Sequence, residues 1–145
     1  MLGSWFRKAD PGEREEAREK RLQRAVCMLL LEAAAADNTL DPAETASAAE
    51  TLRGKFGLGE DEVRDLFDAC AAAREGSIGL FEHTNTVNAQ FTQEERVWMM
   101  EELWRVFLAD GVLSAHEDHL AHRFMDLLRL NHRQFIDAKL RARGA

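Results

Sequence analysis

Ala35-Ala36-Asp37-Asn38-Thr39-Leu40-Asp41-Pro42-Ala43-Glu44 is answered further along the chain by Leu108-Ala109-Asp110-Gly111-Val112-Leu113-Ser114-Ala115-His116-Glu117. The two stretches share an Ala-Asp-x-x-Leu-[Asp/Ser]-x-x-Glu phrase, offset by 73 residues. Each copy closes an apolar helical run and opens another helix. The correspondence continues downstream, where Phe56-Gly57-Leu58 leads to Val63 as Leu128-Arg129-Leu130 leads to Phe135, with one residue lost between the copies. An internal repeat of this length points to duplicated helical units that share one core.

Working outward from the repeat, the helix starts are marked by capping boxes. In such a box an N-cap Ser, Thr, Asp or Asn and a Glu or Gln three residues on accept from N–H groups that the first turn leaves unpaired. Asp10 with Glu13, Asp41 with Glu44, Thr92 with Glu95, Ser114 with Glu117 and Asn131 with Gln134 fit this pattern. Pro11 and Pro42 fall at first helical positions, where a missing N–H does no harm. With Gly54, Gly57, Gly59, Gly76 and Gly111 as stops or turns, these signals predict helices near 11–36, 42–56, 60–74, 78–90, 93–109, 115–129 and 132–142. No useful length of the chain alternates with a period of two, so strands are not expected.

The runs that lead into the repeated phrase are the most apolar. Val26, Met28, Leu29, Leu30 and Leu31 precede four alanines, and Val97, Trp98, Met99, Met100, Leu103, Trp104, Val106, Phe107 and Leu108 cover nearly every helical face. A helix that is apolar all round is buried. The helix after the second copy is amphipathic instead, with Leu120, Phe124, Leu127 and Leu128 on one stripe. The expected fold is all-α, a compact bundle of about seven helices with an internal duplication around two buried central helices.

At 145 residues and 46% hydrophobic content the chain is sized for one core. The domain reading is an N-terminal segment over 1–24 that begins the long first helix, one helical domain over 25–142, and a tail at 143–145. The net charge is −7, and residues 29–69 carry all of it, with ten acids against three bases. An acidic half argues against nucleic acid, whose phosphates need a basic surface. It favours cations or basic proteins as partners. Cys27 and Cys70 lie far apart in alanine-rich helical stretches and read as small buried hydrophobes, neither metal ligands nor a disulfide framework. The N-terminus lacks the apolar core of a signal peptide, and the longest apolar stretch, 25–36, is interrupted by Glu32. A cytoplasmic location is expected. Trp5 and Phe6, beside Arg7 and Lys8, could touch a membrane surface, but docking on a neighbouring helix is favoured.

The repeated phrase admits two readings. As scaffold, Asp41 and Ser114 are N-caps, Glu44 and Glu117 complete their boxes, and Leu40 and Leu113 are hydrophobic staples. Asp37 and Asp110 resist this reading, because a carboxylate at a helix C-terminus meets the negative end of the dipole at a cost of about 0.3–1 kcal/mol. As a ligand site, carboxylates and helix-end carbonyls are hard oxygen donors of the kind Ca²⁺ and Mg²⁺ accept. An EF-hand is excluded, since its glycine is Pro42, its bidentate Glu is Ala48, and Val112 stands at its third position in the second copy. The candidate sets are Asp37, Asp41 and Glu44 in the first copy and Asp110, Ser114 and Glu117, a poorer set, in the second. His116, His119 and His122 fall within one helical arc, but no Cys or buried carboxylate accompanies them to complete a zinc site. Hydrolase, phosphate-loop and dinucleotide motifs are missing. A metal-dependent hydrolase built from the same carboxylates with His116 or His119 stays as the least supported reading.

The phrase from Ala36 to Glu44, then Phe56-Gly57-Leu58, then Glu94-Glu95-Arg96 leading through Leu103-Trp104-Arg105-Val106 to Ala109-Asp110-Gly111 and Glu117, resembles the TerB-like family, named for tellurite-resistance protein B. The closing His132-Arg133-Gln134-Phe135-Ile136-Asp137-Ala138-Lys139 is similar to a bacterial branch of stand-alone members. The resemblance spans roughly 25–140. It implies an all-helical domain, a role in tellurite or general chemical-stress response, acidic positions that bind a divalent metal, and association with protein partners or membrane-linked complexes. The acidic positions it carries over are Asp37, Glu44, Asp110 and Glu117. Asn38 replaces the family's usual glycine, and Ser114 stands where the first copy has Asp41, so a single cation site would favour the first copy. The resulting expectation is a non-enzymatic module that binds Ca²⁺ or Mg²⁺ through Asp37, Asp41, Glu44, Asp110 and Glu117 and acts through protein partners. The alternative is a metal-free interaction domain whose acidic turns are only caps.

Overall fold

The computed structural model describes residues 11–36, 41–74 and 79–144. Among them are seven helices: α1 (Pro11–Ala34), α2 (Pro42–Phe56), α3 (Glu60–Arg74), α4 (Leu80–Gln90), α5 (Gln93–Phe107), α6 (Ala115–Leu127) and α7 (His132–Ala142). The described residues form no strand. The Asp10 cap, Asp37, the Leu40 staple and the Trp5–Phe6 pair fall outside the described residues.

The helix starts follow the capping chemistry. Thr92, Ser114 and Asn131 each take the N–H of the third helical residue, while Glu95, Glu117 and Gln134 reach back to the N-cap N–H. Asp41 caps differently: its Oδ1 accepts from the Ala43 N–H at 2.8 Å. The ends run two residues shorter than the sequence suggested for α1, α5 and α6. There the chain tightens into three-residue turns, such as Ala36 N–H to Ala33 O at 3.3 Å and Ala109 N–H to Val106 O at 3.2 Å, which occupy carbonyls that the helix leaves open. The α4 start moves from 78 to Leu80, preceded by Gly79 at φ 94°.

The duplication is visible in the packing. Helix α1 touches α2, α3, α4 and α5, while α5 touches α1, α2, α6 and α7. Each unit is therefore a central helix with two satellites, and α4 joins the units while lying on α1. From Ala25 to Leu31 every α1 residue is buried, and so are Met99, Met100, Leu103, Trp104, Val106 and Phe107 of α5. The expected pair of buried central helices is present. Trp104 closes the second unit: its Nε1 donates to the Phe135 carbonyl at 3.2 Å, and the two rings meet at 5.0 Å. A buried indole N–H without a partner would cost about 1–3 kcal/mol, so this bond fixes α7 on α5.

Polar contacts tie the helices together as well, within the second unit, from α4 to it, and between the units. Asn88 Nδ2 and Arg96 Nη1 donate to the Leu127 and Leu128 carbonyls at 2.9 and 3.2 Å. They serve acceptors that the C-terminus of α6 leaves open. Lys55 of α2 pairs with Glu95 of α5 at 3.4 Å and lies over the Trp98 and Phe91 rings at 5.1 and 5.3 Å. Glu102 is buried, yet Thr51 Oγ1 donates to its Oε2 at 3.0 Å and Arg105 meets its Oε1 at 2.7 Å, so both oxygens are served.

Candidate functional site

The central helices α1 and α5 each run into one copy of the acidic phrase, and the satellites α2 and α6 leave from it. Because α1 packs on α5, and α2 also packs on α5, the two turns can meet at one end of the bundle. They do. One carboxylate oxygen each of Asp41, Glu44 and Asp110 lies within 4.8 Å of the others. The two turns converge on one cluster, taking two members from the first turn and one from the second.

Each member is held by its local chemistry. Asp41 is half-buried at the N-cap of α2, with Oδ1 engaged by the Ala43 N–H. Asp110 is exposed after α5, and its Oδ1 accepts from the Val112 N–H at 2.9 Å, closing a turn in which Gly111 adopts φ 83°. That bond gives Asp110 a structural role despite the helix dipole, because the carboxylate serves a backbone donor past the helix end. It also leaves Oδ2 for another partner, as the Asp41 cap does. Glu44 is 4% exposed.

Glu117 is not one of the three. It is 1% exposed, its Oε1 takes the Ser114 N–H at 3.0 Å, and its own N–H binds Ser114 Oγ at 3.1 Å. The repeat therefore places its two glutamates in unlike settings, one inside a carboxylate cluster and one in a capping box. Of the residues proposed from sequence, Asp41, Glu44 and Asp110 come together, Glu117 anchors α6, and Asp37 lies outside the described residues.

Like charges at this spacing repel. At 4 Å a pair costs about 1 kcal/mol in bulk water and about 4 kcal/mol at a surface-like dielectric near 20. A cation among the three would reverse the sign of the local energy. The three donors are carboxylates, which suits a hard ion such as Ca²⁺ or Mg²⁺.

The histidines do not join it. His122 stacks on Phe135 at 4.8 Å, and its Nδ1 lies 2.8 Å from the Asp118 carbonyl. This is a helix-surface contact between α6 and α7. The sequence reading missed a groove of about 540 Å³ between α2 and α5, lined by Ser47, Thr51, Lys55, Trp98, Glu102 and Arg105 among others. Thr51 Oγ1 reaches Glu102 across it, a contact that two segments so far apart in the chain do not announce.

Comparison with known proteins bears on most of the chain. The family model described as "Tellurite resistance protein TerB" matches residues 23–140. Comparison with curated proteins gives no match. Among solved structures, a protein of unknown function from Porphyromonas gingivalis W83 superposes with a TM-score of 0.63 at 18% identity, covering 86% of this chain and 95% of that one. At that identity the likeness speaks for the fold alone.

Proposed function

The chain belongs to the TerB family, and from that premise we propose that it is a non-enzymatic helical module whose two acidic turns together hold one divalent cation. The observation that carries this reading is the meeting of Asp41, Glu44 and Asp110 within 4.8 Å from two separate turns. Capping alone asks only that each carboxylate reach its own helix start. It gives no reason for the second turn's aspartate to lie against the first turn's pair. Asp41, Glu44 and Asp110 would hold the ion, Ca²⁺ or Mg²⁺, which would offset their mutual repulsion and fasten the ends of the two units together. Glu117 supports the site by fixing the start of α6.

The module works in the cytoplasm through protein partners, in a response to tellurite or other chemical stress, a reading that the family's name supports. The cation sets the geometry of the face that the partner meets. A second reading, a metal-free interaction domain, draws support from the backbone N–H groups already bound by Asp41 and Asp110. Asparagine separates the two readings, because its amide oxygen can still cap while its charge is gone. Calorimetric titration of metal-stripped protein with Ca²⁺, Mg²⁺ and Zn²⁺ should show Ca²⁺ or Mg²⁺ binding that disappears in Asp41→Asn with Glu44→Gln. If none of the three ions binds the wild type more tightly than about millimolar, roughly −4 kcal/mol, the cation reading is wrong and the interaction domain stands.

A further inference from the structure

The chain has two cysteines, and the fold brings them to one helix contact. Cys70 Sγ lies 3.9 Å from the Arg24 carbonyl oxygen of α1. In an α-helix the carbonyl of residue i points toward residues i+3 and i+4, which places Cys70 against the turn that carries Cys27. Both residues are free thiols at 0% exposure. The helix that presents Cys70 is peripheral. Along α3, Val63 and Cys70 are buried and Leu66 and Phe67 are half-buried against the core, while Glu60, Asp61, Glu62, Arg64, Asp65 and Asp68 face solvent. A helix with one face on the core and the other in solvent can lift away locally at less cost than global unfolding.

We propose that Cys27 and Cys70 are a redox latch: an oxidant of the peroxide class converts them to a disulfide that fastens α3 to α1, and a dithiol reductant releases it. In the first step the Cys70 thiolate attacks one peroxide oxygen, the O–O bond breaks, and the departing hydroxide takes a proton and leaves as water. The sulfur is now a sulfenic acid. Cys27 sulfur then attacks it, the S–O bond breaks, and a second water leaves as the S–S bond forms. Two thiols lose two protons and two electrons, and one peroxide becomes two waters.

The electrostatics assign the order. The hydrogen bond from Cys27 and the nearby Arg24 charge hold the Cys70 thiol below its usual range, whereas the contact with Cys70, reinforced by burial, pushes Cys27 up. The Arg24 charge beside Cys70 favours its thiolate, so Cys70 is the thiol that attacks first. The disulfide would close a loop running from α1 through the first acidic turn to α3, and cross-links of that span stabilise chiefly by restricting the unfolded chain.

The test is to treat the reduced, folded full chain with hydrogen peroxide, alkylate it in denaturant, and weigh it. The latch requires a monomer lighter by two hydrogens, carrying no alkyl label, restored by dithiothreitol, and melting several degrees above the reduced form. Cys27→Ser and Cys70→Ser must each abolish the change; Cys27→Ala and Cys70→Ala, which keep the site apolar, replace a serine variant that does not fold. The latch is overturned if both thiols remain alkylatable while free cysteine in the same tube is oxidised. Disulfide-linked dimers, oxidation of Cys70 beyond the sulfenic acid, or a cross-linking rate equal to that of global unfolding would overturn it too.

Discussion

At the first acidic turn Asp41 caps α2 by accepting the Ala43 N–H, two residues on; at the second, Ser114 caps α6 by accepting the Glu117 N–H, three residues on. The same phrase gives two caps of different reach. Where serine closes the full box, the glutamate is drawn back onto the N-cap N–H and becomes scaffold. Where aspartate closes the shorter loop, the glutamate lies in a group of three carboxylates. A similar divergence appears further on. Gly57 ends α2 at φ 65° with its N–H on the Arg53 carbonyl, and Arg129 ends α6 at φ 58°. The backbone keeps a left-handed turn in both copies, but only one copy has the residue that adopts it without strain. Duplicated geometry has outlived duplicated side chains.

The comparison can be broken at four levels. The largest effect should come from the central helices, where Leu30 and Leu103 are repeat-related and both fully buried. Leu30→Ala and Leu103→Ala should each destabilise by about 2–5 kcal/mol, measured by urea unfolding. A loss under about 1 kcal/mol at either position would show that the two helices are not equivalent cores.

Next comes the cation. With Ca²⁺ or Mg²⁺ at a hundredfold excess over its dissociation constant, wild type should gain about 2.7 kcal/mol, an upward shift in thermal midpoint on the order of 10 °C. Glu44→Gln should lose most of this gain and Glu117→Gln should keep it. Equal loss in both variants would erase the distinction drawn between the two turns.

The turn residues give smaller effects of opposite sign. Arg129→Gly should stabilise by about 0.5–1 kcal/mol, and Gly57→Ala should destabilise by about 1 kcal/mol or more, both read by urea unfolding. The two changes share one cause, the cost of a side chain at positive φ. If Arg129→Gly destabilises instead, the arginine side chain contributes more than the strain removes.

The smallest effect concerns the tie between the units. The Thr92 N–H, and after it Lys55, hold the Glu95 carboxyl below the usual glutamate range. A depressed folded-state pKa contributes stability that is present above the ordinary glutamate value and lost as the pH falls through the depressed one. Glu95→Gln can keep the cap but not the charge. Thermal midpoints between neutral and acid pH should therefore fall slightly less for Glu95→Gln than for wild type, and identical slopes would remove Lys55–Glu95 as a tie between the units.

Much of the fold was legible because its signals are local. Pro42, Thr92, Ser114 and Asn131 mark helix starts through the hydrogen-bonding needs of the first turn, and Gly57 and Gly111 mark ends through positive φ. The site was legible only in its residue types. Asp41, Glu44 and Asp110 could be picked out as hard oxygen donors, but the two sets drawn along the chain, one for each copy, differ from the mixed cluster seen in space. The Asp41–Glu44 capping box was also expected on spacing alone. Asp41 reaches Ala43 instead, because an aspartate oxygen can serve an N–H two residues away.

By itself the sequence determined the all-helical class, the duplication and the burial of the two central helices, since capping and periodic hydrophobicity act over a few residues. Tertiary structure alone decided which carboxylates meet, which glutamate stays in the scaffold, and that Cys27 and Cys70 share a contact. Those outcomes depend on how α1, α2, α3 and α5 pack. Packing is set by the fit of whole faces contributed from distant parts of the chain, and no short stretch encodes it.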